Sequence, residues 1–173
     1  ISESIGYYAH ILALDKCIGD LQSAVNETGI EENTILVFTS DHGEMMGSQG
    51  VRPRLKQVPY GESARVPFLL KYPAMFGSEH FSVEAPINTT DILPTLLDLA
   101  GISVPESVEG ESMADAVLKP GLFAEKAALI MNISPFDIQK NEEYRGIYTS
   151  RYTYIKSLQG PWLLYDNESD PFQ

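Results

Sequence analysis

Asp41 and His42 stand side by side in this chain, and both are side chains that hold metal ions. They follow the apolar run Ile35-Leu36-Val37-Phe38 and two small hydroxylated residues, Thr39 and Ser40, and they precede Gly43. A carboxylate oxygen suits a hard cation, and an imidazole nitrogen suits a borderline one. On chemistry alone the pair is compatible with Ca²⁺, Mn²⁺ or Zn²⁺. Neutral imidazole also carries one donor and one acceptor, so His42 could instead hydrogen-bond a substrate. A second chemical feature begins immediately afterwards. Between Glu44 and Arg65 the chain carries Arg52, Arg54, Lys56 and Arg65 against only Glu44 and Glu62. A basic segment in an acidic chain fits an anion site, and the competing reading is a solvated surface loop.

The element that must position the pair is the apolar run. Continuous rather than alternating hydrophobicity is the pattern of a strand covered on both faces. In open α/β sheets, ligands bind just beyond the carboxyl ends of such strands. Gly43 has no Cβ, so the backbone there can turn sharply or approach another segment closely. Glu44 is placed to orient the metal pair as an outer partner.

Upstream, Ile5, Tyr8, Ile11/Leu12, Ile18, Leu21 and Val25 recur at helical spacing, which predicts an amphipathic helix over residues 3–27. Ser2 or Ser4 caps it and Gly29 closes it. Cys17 is expected in its packed face, and His10 is expected to be structural or at the surface. Helix, short loop and buried strand together form the repeating half of a doubly wound sheet. Downstream, residues 44–65 contain Gly47, Gly50, Pro53, Pro59 and Gly61 and show no period, predicting a long loop. Arg52 and Arg54 are candidate specificity residues in that loop, and Arg65 is expected in a structural ion pair. Val66–Tyr72 predicts a strand with Pro67 at its start. His80 falls in the loop that follows. Thr90–Gly101 predicts a helix capped by Asp91 or Thr90, with Pro94 in the first turn and Gly101 at the end. Ser112–Leu118 predicts two further helical turns. After Lys119-Pro120-Gly121 the texture changes to short β-type runs at 128–133, 144–149, 152–156 and 163–165. Consecutive short strands after an α/β region predict a small antiparallel sheet. The aromatics Tyr144, Tyr148, Tyr152, Tyr154 and Trp162 suit strands first and a carbohydrate platform second.

At 173 residues, with 43% hydrophobic and 21% charged residues, the chain has the balance of a folded domain rather than a disordered one. Its net charge of −12 argues against nucleic-acid binding, which needs clustered Lys and Arg. One cysteine excludes an internal disulfide framework. No apolar run approaches the roughly 18 residues of a membrane-spanning helix. The first residues, Ile1-Ser2-Glu3-Ser4, have no initiator Met or basic leader, and the last are Asp170-Pro171-Phe172-Gln173. The expectation is a piece of a longer protein.

Four blocks in order carry a family resemblance. Tyr7-Tyr8 through Leu14-Asp15, Thr28-Gly29, Asn33-Thr34 and Ser40-Asp41-His42-Gly43-Glu44 resemble the second half of the sulfatases, in the alkaline-phosphatase-like superfamily. Lys56 followed by Tyr60-Gly61-Glu62-Ser63-Ala64-Arg65-Val66-Pro67 is similar to that family's lysine and Tyr-Glu-Glu-Ser-x-Arg-x-Pro segment. Thr90–Gly101 is similar to its helix after the site. Arg145-Gly146, Leu164-Tyr165-Asp166 and Asp170-Pro171 look like its closing strands and Leu-Tyr-Asp-x-x-x-Asp-Pro signature.

The resemblance implies an α/β fold: part of an alkaline-phosphatase-like sandwich with late central-sheet strands over residues 1–118, then a small antiparallel subdomain over 119–173. It implies hydrolysis of a small-molecule or carbohydrate sulfate ester beside a divalent metal, most commonly Ca²⁺. Asp41 and His42 would be metal ligands, although the residue at His42 is often Asn in relatives. Lys56 would be catalytic, binding the sulfate and assisting at its oxygens. The family's nucleophile is a formylglycine made within Cys/Ser-x-Pro-x-Arg, and no such pentapeptide occurs here. Cys17 is followed by Ile-Gly-Asp-Leu, and Ser103-Val104-Pro105-Glu106-Ser107 lacks the arginine. The nucleophile and the remaining acidic ligands are therefore expected in an N-terminal portion outside this chain, and the chain alone is expected to be inactive. The resemblance also favours a periplasmic or extracellular location. Without the nucleophile, a phosphodiesterase, phosphonate hydrolase or phosphoglycerol transferase of the same superfamily remains open, as does a non-catalytic module that retains the fold.

Overall fold

Residues 2–119, 121–133 and 143–173 are described by a computed structural model of the protein. Helix α1 spans Ser2–Glu27. It already includes Ser4, and its capping position is residue 1, outside the described residues. It ends as expected at Gly29, where the Gly29 N–H donates to Asn26 O (3.0 Å) and the Ile30 N–H to Val25 O (3.3 Å). The stripe that predicts α1 is largely uncovered: Ile5, Tyr8, Leu12 and Leu21 are all more than half exposed. Cys17, expected in a packed face, is exposed with them. Periodicity identified the helix, but the described residues place no layer over its apolar side.

Strand β1 (Leu36–Thr39) pairs antiparallel with β2 (Phe68–Lys71), Leu36 opposite Lys71 and Thr39 opposite Phe68. Pro67 precedes β2, where its missing N–H costs no ladder bond. The apolar run predicted burial on both faces. Instead Leu36, Val37 and Phe38 are half-buried, because among the described residues this sheet has two strands and no packed helix layer. The stretch expected to be an irregular loop contains a 3₁₀ turn at Ser48–Gly50 and a one-turn helix, α2 (Gly61–Ala64). A further turn, α3 (Pro73–Phe76), follows β2.

Helix α4 (Thr89–Leu99) is capped by Asn88, two residues before Thr90 and three before Asp91, the expected caps. The Thr89 N–H donates to Asn88 Oδ1 (2.8 Å), and Asp91 closes a capping box by accepting from the Asn88 N–H (2.9 Å). Pro94 consequently lies inside the helix rather than in its first turn. Asp91 is buried and also accepts the Glu111 N–H (2.9 Å), and Thr95 Oγ1 accepts the Met113 N–H (2.9 Å). These bonds fasten the 110–113 segment to the helix. The expected helix over 112–118 is only a 3₁₀ turn, Ala114–Ala116.

Strands β3 (Ala128–Asn132), β4 (Tyr144–Tyr148), β5 (Tyr152–Ser157) and β6 (Gly160–Asp166) form the expected antiparallel sheet in sequence order. The linking residues 134–142 lie outside the described residues. Pro161 sits on edge strand β6, beside a register shift at Ile155/Lys156. Ile155 is fully buried, and Tyr144 packs edge-on against Trp162 with ring centroids 6.0 Å apart. Burial pushes the Tyr144 hydroxyl up to about 12. Two of the aromatics considered for a sugar platform thus serve packing. The Asn88 side chain joins α4 to this sheet by donating to Leu129 O (3.1 Å).

Lys126 closes the junction, with its ammonium 3.2 Å from Asp91 and 2.9 Å from Glu111. Desolvation lowers the pKa of this ammonium, but the hydrogen bonds and charges of Glu111 and Asp91 outweigh it and raise the net value above the ordinary lysine level. A raised folded value means the contribution is complete below the unfolded pKa and is lost as pH rises through the folded one. Lys126→Met should therefore lose about 1–2 kcal/mol of unfolding free energy in urea at pH 8, the Glu111 side of the pairing being screened by solvent. The gap from wild type should narrow as pH rises beyond the ordinary lysine range, and a gap independent of pH would contradict the pairing.

Candidate functional site

The chain leaves β1 at Thr39 and presents Asp41 and His42 at the strand's carboxyl end, both exposed. Asp41 Oδ1 accepts from the His42 N–H (3.0 Å) and the Ser40 hydroxyl (3.3 Å). Desolvation raises the Asp41 pKa, but the His42 charge, the backbone amides and the Ser40 hydroxyl together hold the carboxyl below its usual value. The carboxylate is thus charged across the neutral range. His42 Nδ1 lies 2.9 Å from Gly43 O. A carbonyl only accepts, so Nδ1 carries the proton, and in the neutral ring Nε2 holds a lone pair. That Nε2 lies 3.4 Å from Asp41 Oδ2. With Nε2 unprotonated the two atoms make a donor pair for a cation, and with Nε2 protonated they make an ion pair. Metal–ligand bonds of roughly 2.0–2.5 Å place adjacent donor atoms about 3 Å apart. The donor pair fits a divalent ion, with two ligands. No cluster of three or more His, Cys, Asp or Glu side chains suited to a metal occurs among the described residues.

Gly43 meets its neighbours by close approach. Its N–H donates to Ser63 O (2.8 Å), and a Cβ on it would lie 1.9 Å from Glu62 O. The strand end is thereby pressed against α2. The next residue does not orient the metal pair as expected. Glu44 Oε1 instead accepts the N–H groups of Met46 (3.1 Å) and Arg54 (2.7 Å). Between those contacts the Met45 N–H donates to Leu55 O (3.3 Å), and the Met45 side chain is completely buried. These bonds draw the backbone bearing Lys56 alongside the segment bearing Asp41 and His42.

Lys56 is half-buried, while Arg52, Arg54 and Arg65 are exposed. Arg65 makes no ion pair among the described residues. The backbone around Lys56 is strained: Arg54 and Gln57 have φ of +67° and +66°, and Met46 and Gln49 are also left-handed. Each such non-glycine residue costs about 1–2 kcal/mol and persists where its surroundings hold it. On the far side of Lys56, the Asn132 side chain donates to Gln57 O (3.1 Å), and Val58 and Pro59 are buried. His10 and His80 are exposed, away from these contacts.

A family model described as "Sulfatase" matches residues 5–102. The chain belongs to the sulfatase family. A second model, "N-sulphoglucosamine sulphohydrolase, C-terminal", matches residues 55–173. An ulvan-active sulfatase of Formosa agariphila is 48% identical over 97% of this chain and 33% of its own length. An endo-4-O-sulfatase of Bacteroides thetaiotaomicron is 34% identical over 99% of this chain and 37% of its own. The structure of BT4656, in complex with its substrate D-glucosamine-2-N,6-O-disulfate, superposes with a TM-score of 0.75 at 29% identity, covering 93% of this chain and 33% of that one. The fold is that of the alkaline-phosphatase-like sulfatases, and this chain spans about a third of the length of the relatives it matches. Among the described residues no helix is long and apolar enough to cross a membrane.

The contact at Gly43 leaves no room for a Cβ. Gly43→Ala should force β1 away from α2 and lower stability by about 1–3 kcal/mol, read from urea unfolding. A change within about 0.5 kcal/mol would mean that the approach is not needed.

Proposed function

We propose that the protein of which this chain forms part hydrolyses a sulfate ester, with Asp41 and His42 at a divalent cation and Lys56 on the sulfate. The observation that supports this reading most is the convergence of Asp41 Oδ2 and His42 Nε2 to 3.4 Å, within a sulfatase chain whose Lys56 backbone is tied to the same strand end. The carboxylate supplies a charged oxygen ligand and the imidazole a nitrogen ligand. The Nδ1–H bond to Gly43 O would leave Nε2 as the nitrogen available to a cation. A cation there, Ca²⁺ on the family pattern, would polarise a sulfate oxygen and neutralise charge on the ester. Lys56 supplies a second positive charge from another segment. Its ammonium counters charge on the terminal oxygens and on the leaving oxygen as the S–O bond breaks, without proton transfer in the ground state. In this reading residues 1–118 belong to the catalytic α/β domain and 119–173 to the appended sheet. The substrate class is a carbohydrate or small-molecule sulfate.

The formylglycine nucleophile of the family reading has no source sequence in these 173 residues, so the chain by itself should hydrolyse 4-nitrophenyl sulfate no faster than buffer. Turnover at enzyme-like rates would overturn that assignment. In the full-length enzyme, Lys56→Ala should lower kcat by about 10²–10³-fold. Calorimetric titration with Ca²⁺ should show heat of binding for the wild type and none for Asp41→Ala. Equal affinity in the two would remove Asp41 from the metal site.

A further inference from the structure

We infer that Asn132, on β3, is a positioning residue for Lys56. This inference rests on the catalytic reading of Lys56 given above. Asn132 ends β3, lies opposite Tyr144 in the register and is buried with it. A buried amide in the otherwise apolar strand sequence Ala-Leu-Ile-Met-Asn needs a partner. It finds one 75 residues away, where Nδ2 donates to Gln57 O at 3.1 Å. Because that oxygen can only accept, the orientation of the amide is fixed by the bond.

The location of the bond gives it its consequence. Lys56 stands between two left-handed residues, Arg54 and Gln57, and each is held from outside the loop. Glu44 takes the Arg54 N–H on one flank, and Asn132 binds Gln57 O on the other. Immediately afterwards Val58 and Pro59 are buried, so the chain cannot swing as a unit beyond this point. The φ and ψ of Gln57 are adjacent to the peptide that carries Lys56. If the carbonyl of Gln57 is released, the residue can relax to negative φ and carry the lysine stem with it. An error of about 1 Å in the placement of a reacting group is worth up to about 100-fold in rate. Neither Asn132 nor Gln57 is required to touch substrate.

The test is a mutant cycle in the full-length enzyme with 4-nitrophenyl sulfate. Asn132→Leu keeps the volume and removes the donor. It should lower kcat about 10- to 100-fold while KM changes less than about threefold. In a Lys56→Ala background the same substitution should change kcat by less than about twofold, because the group it positions is gone. Adding Gln57→Gly to Asn132→Leu should recover about fivefold or more, since glycine adopts positive φ without cost. The milder Asn132→Ser, run through the same cycle, carries the test if the leucine variant folds poorly. An equal loss from Asn132→Leu with and without Lys56 would show a merely structural role and overturn the inference. So would an unchanged kcat for Asn132→Leu beside a large loss for Lys56→Ala. Wild-type kcat in Lys56→Ala alone would overturn the catalytic reading of Lys56, and this inference with it.

Discussion

The Glu44 carboxylate, accepting the N–H groups of Met46 and Arg54, is the interaction on which the arrangement of this chain depends. Hydrogen bonds to a charged acceptor are about twice as strong as neutral ones, and here one side chain spans ten residues of backbone. Without it, the Met46 and Arg54 amides would lose this acceptor. With it, the strand end bearing Asp41 and His42 and the segment bearing Lys56 run side by side. The Met45–Leu55 backbone bond and the buried Met45 side chain reinforce that crossing. The Gly43–Ser63 bond closes it from the other side, where only a glycine leaves room for Glu62 O.

The antiparallel sheet is coupled to this crossing through polar side chains. Asn88 reaches β3 from the cap of α4, and Asn132 reaches the Lys56 loop from the end of the same strand. Lys126 fixes the segment leading into β3 by pairing with Asp91 and Glu111. Each of these groups is directional and has a specific partner. They set the orientation of the sheet against the site more sharply than apolar burial could, since apolar contact is non-directional. The exposed face of α1 is the counterexample, because Ile5, Tyr8, Leu12 and Leu21 form a stripe that the described residues leave more than half exposed.

How legible all this was in the sequence varied with the range of the interaction. Helix α1, the position of β1 and the four short strands follow from periodicity and composition, which act within a few residues. Asp41 and His42 stand out as a candidate pair in the sequence because they are adjacent and end an apolar run. The cap of α4 lies two residues before the nearest expected one, because Asn88 precedes the apolar period. Pro94 was consequently placed one turn too early. The coverage of β1, the exposure of Cys17 and the real partner of Glu44 depend on which segments meet, and local pattern does not encode that. Asn132 left only a faint trace, a single amide in an apolar strand whose partner lies 75 residues away. Lys56 is singled out by resemblance alone, since one lysine among several cations carries no local signal.

The Glu44 crossing holds the segment from Gly43 to Arg54 as one unit. Amide hydrogen exchange tests it directly. The N–H groups of Gly43, Met45, Met46 and Arg54 should exchange together, about 100-fold or more slower than an unstructured peptide. If these amides exchange at free-peptide rates while those of β1 stay protected, the loop is not clamped and the Glu44 crossing does not place Lys56.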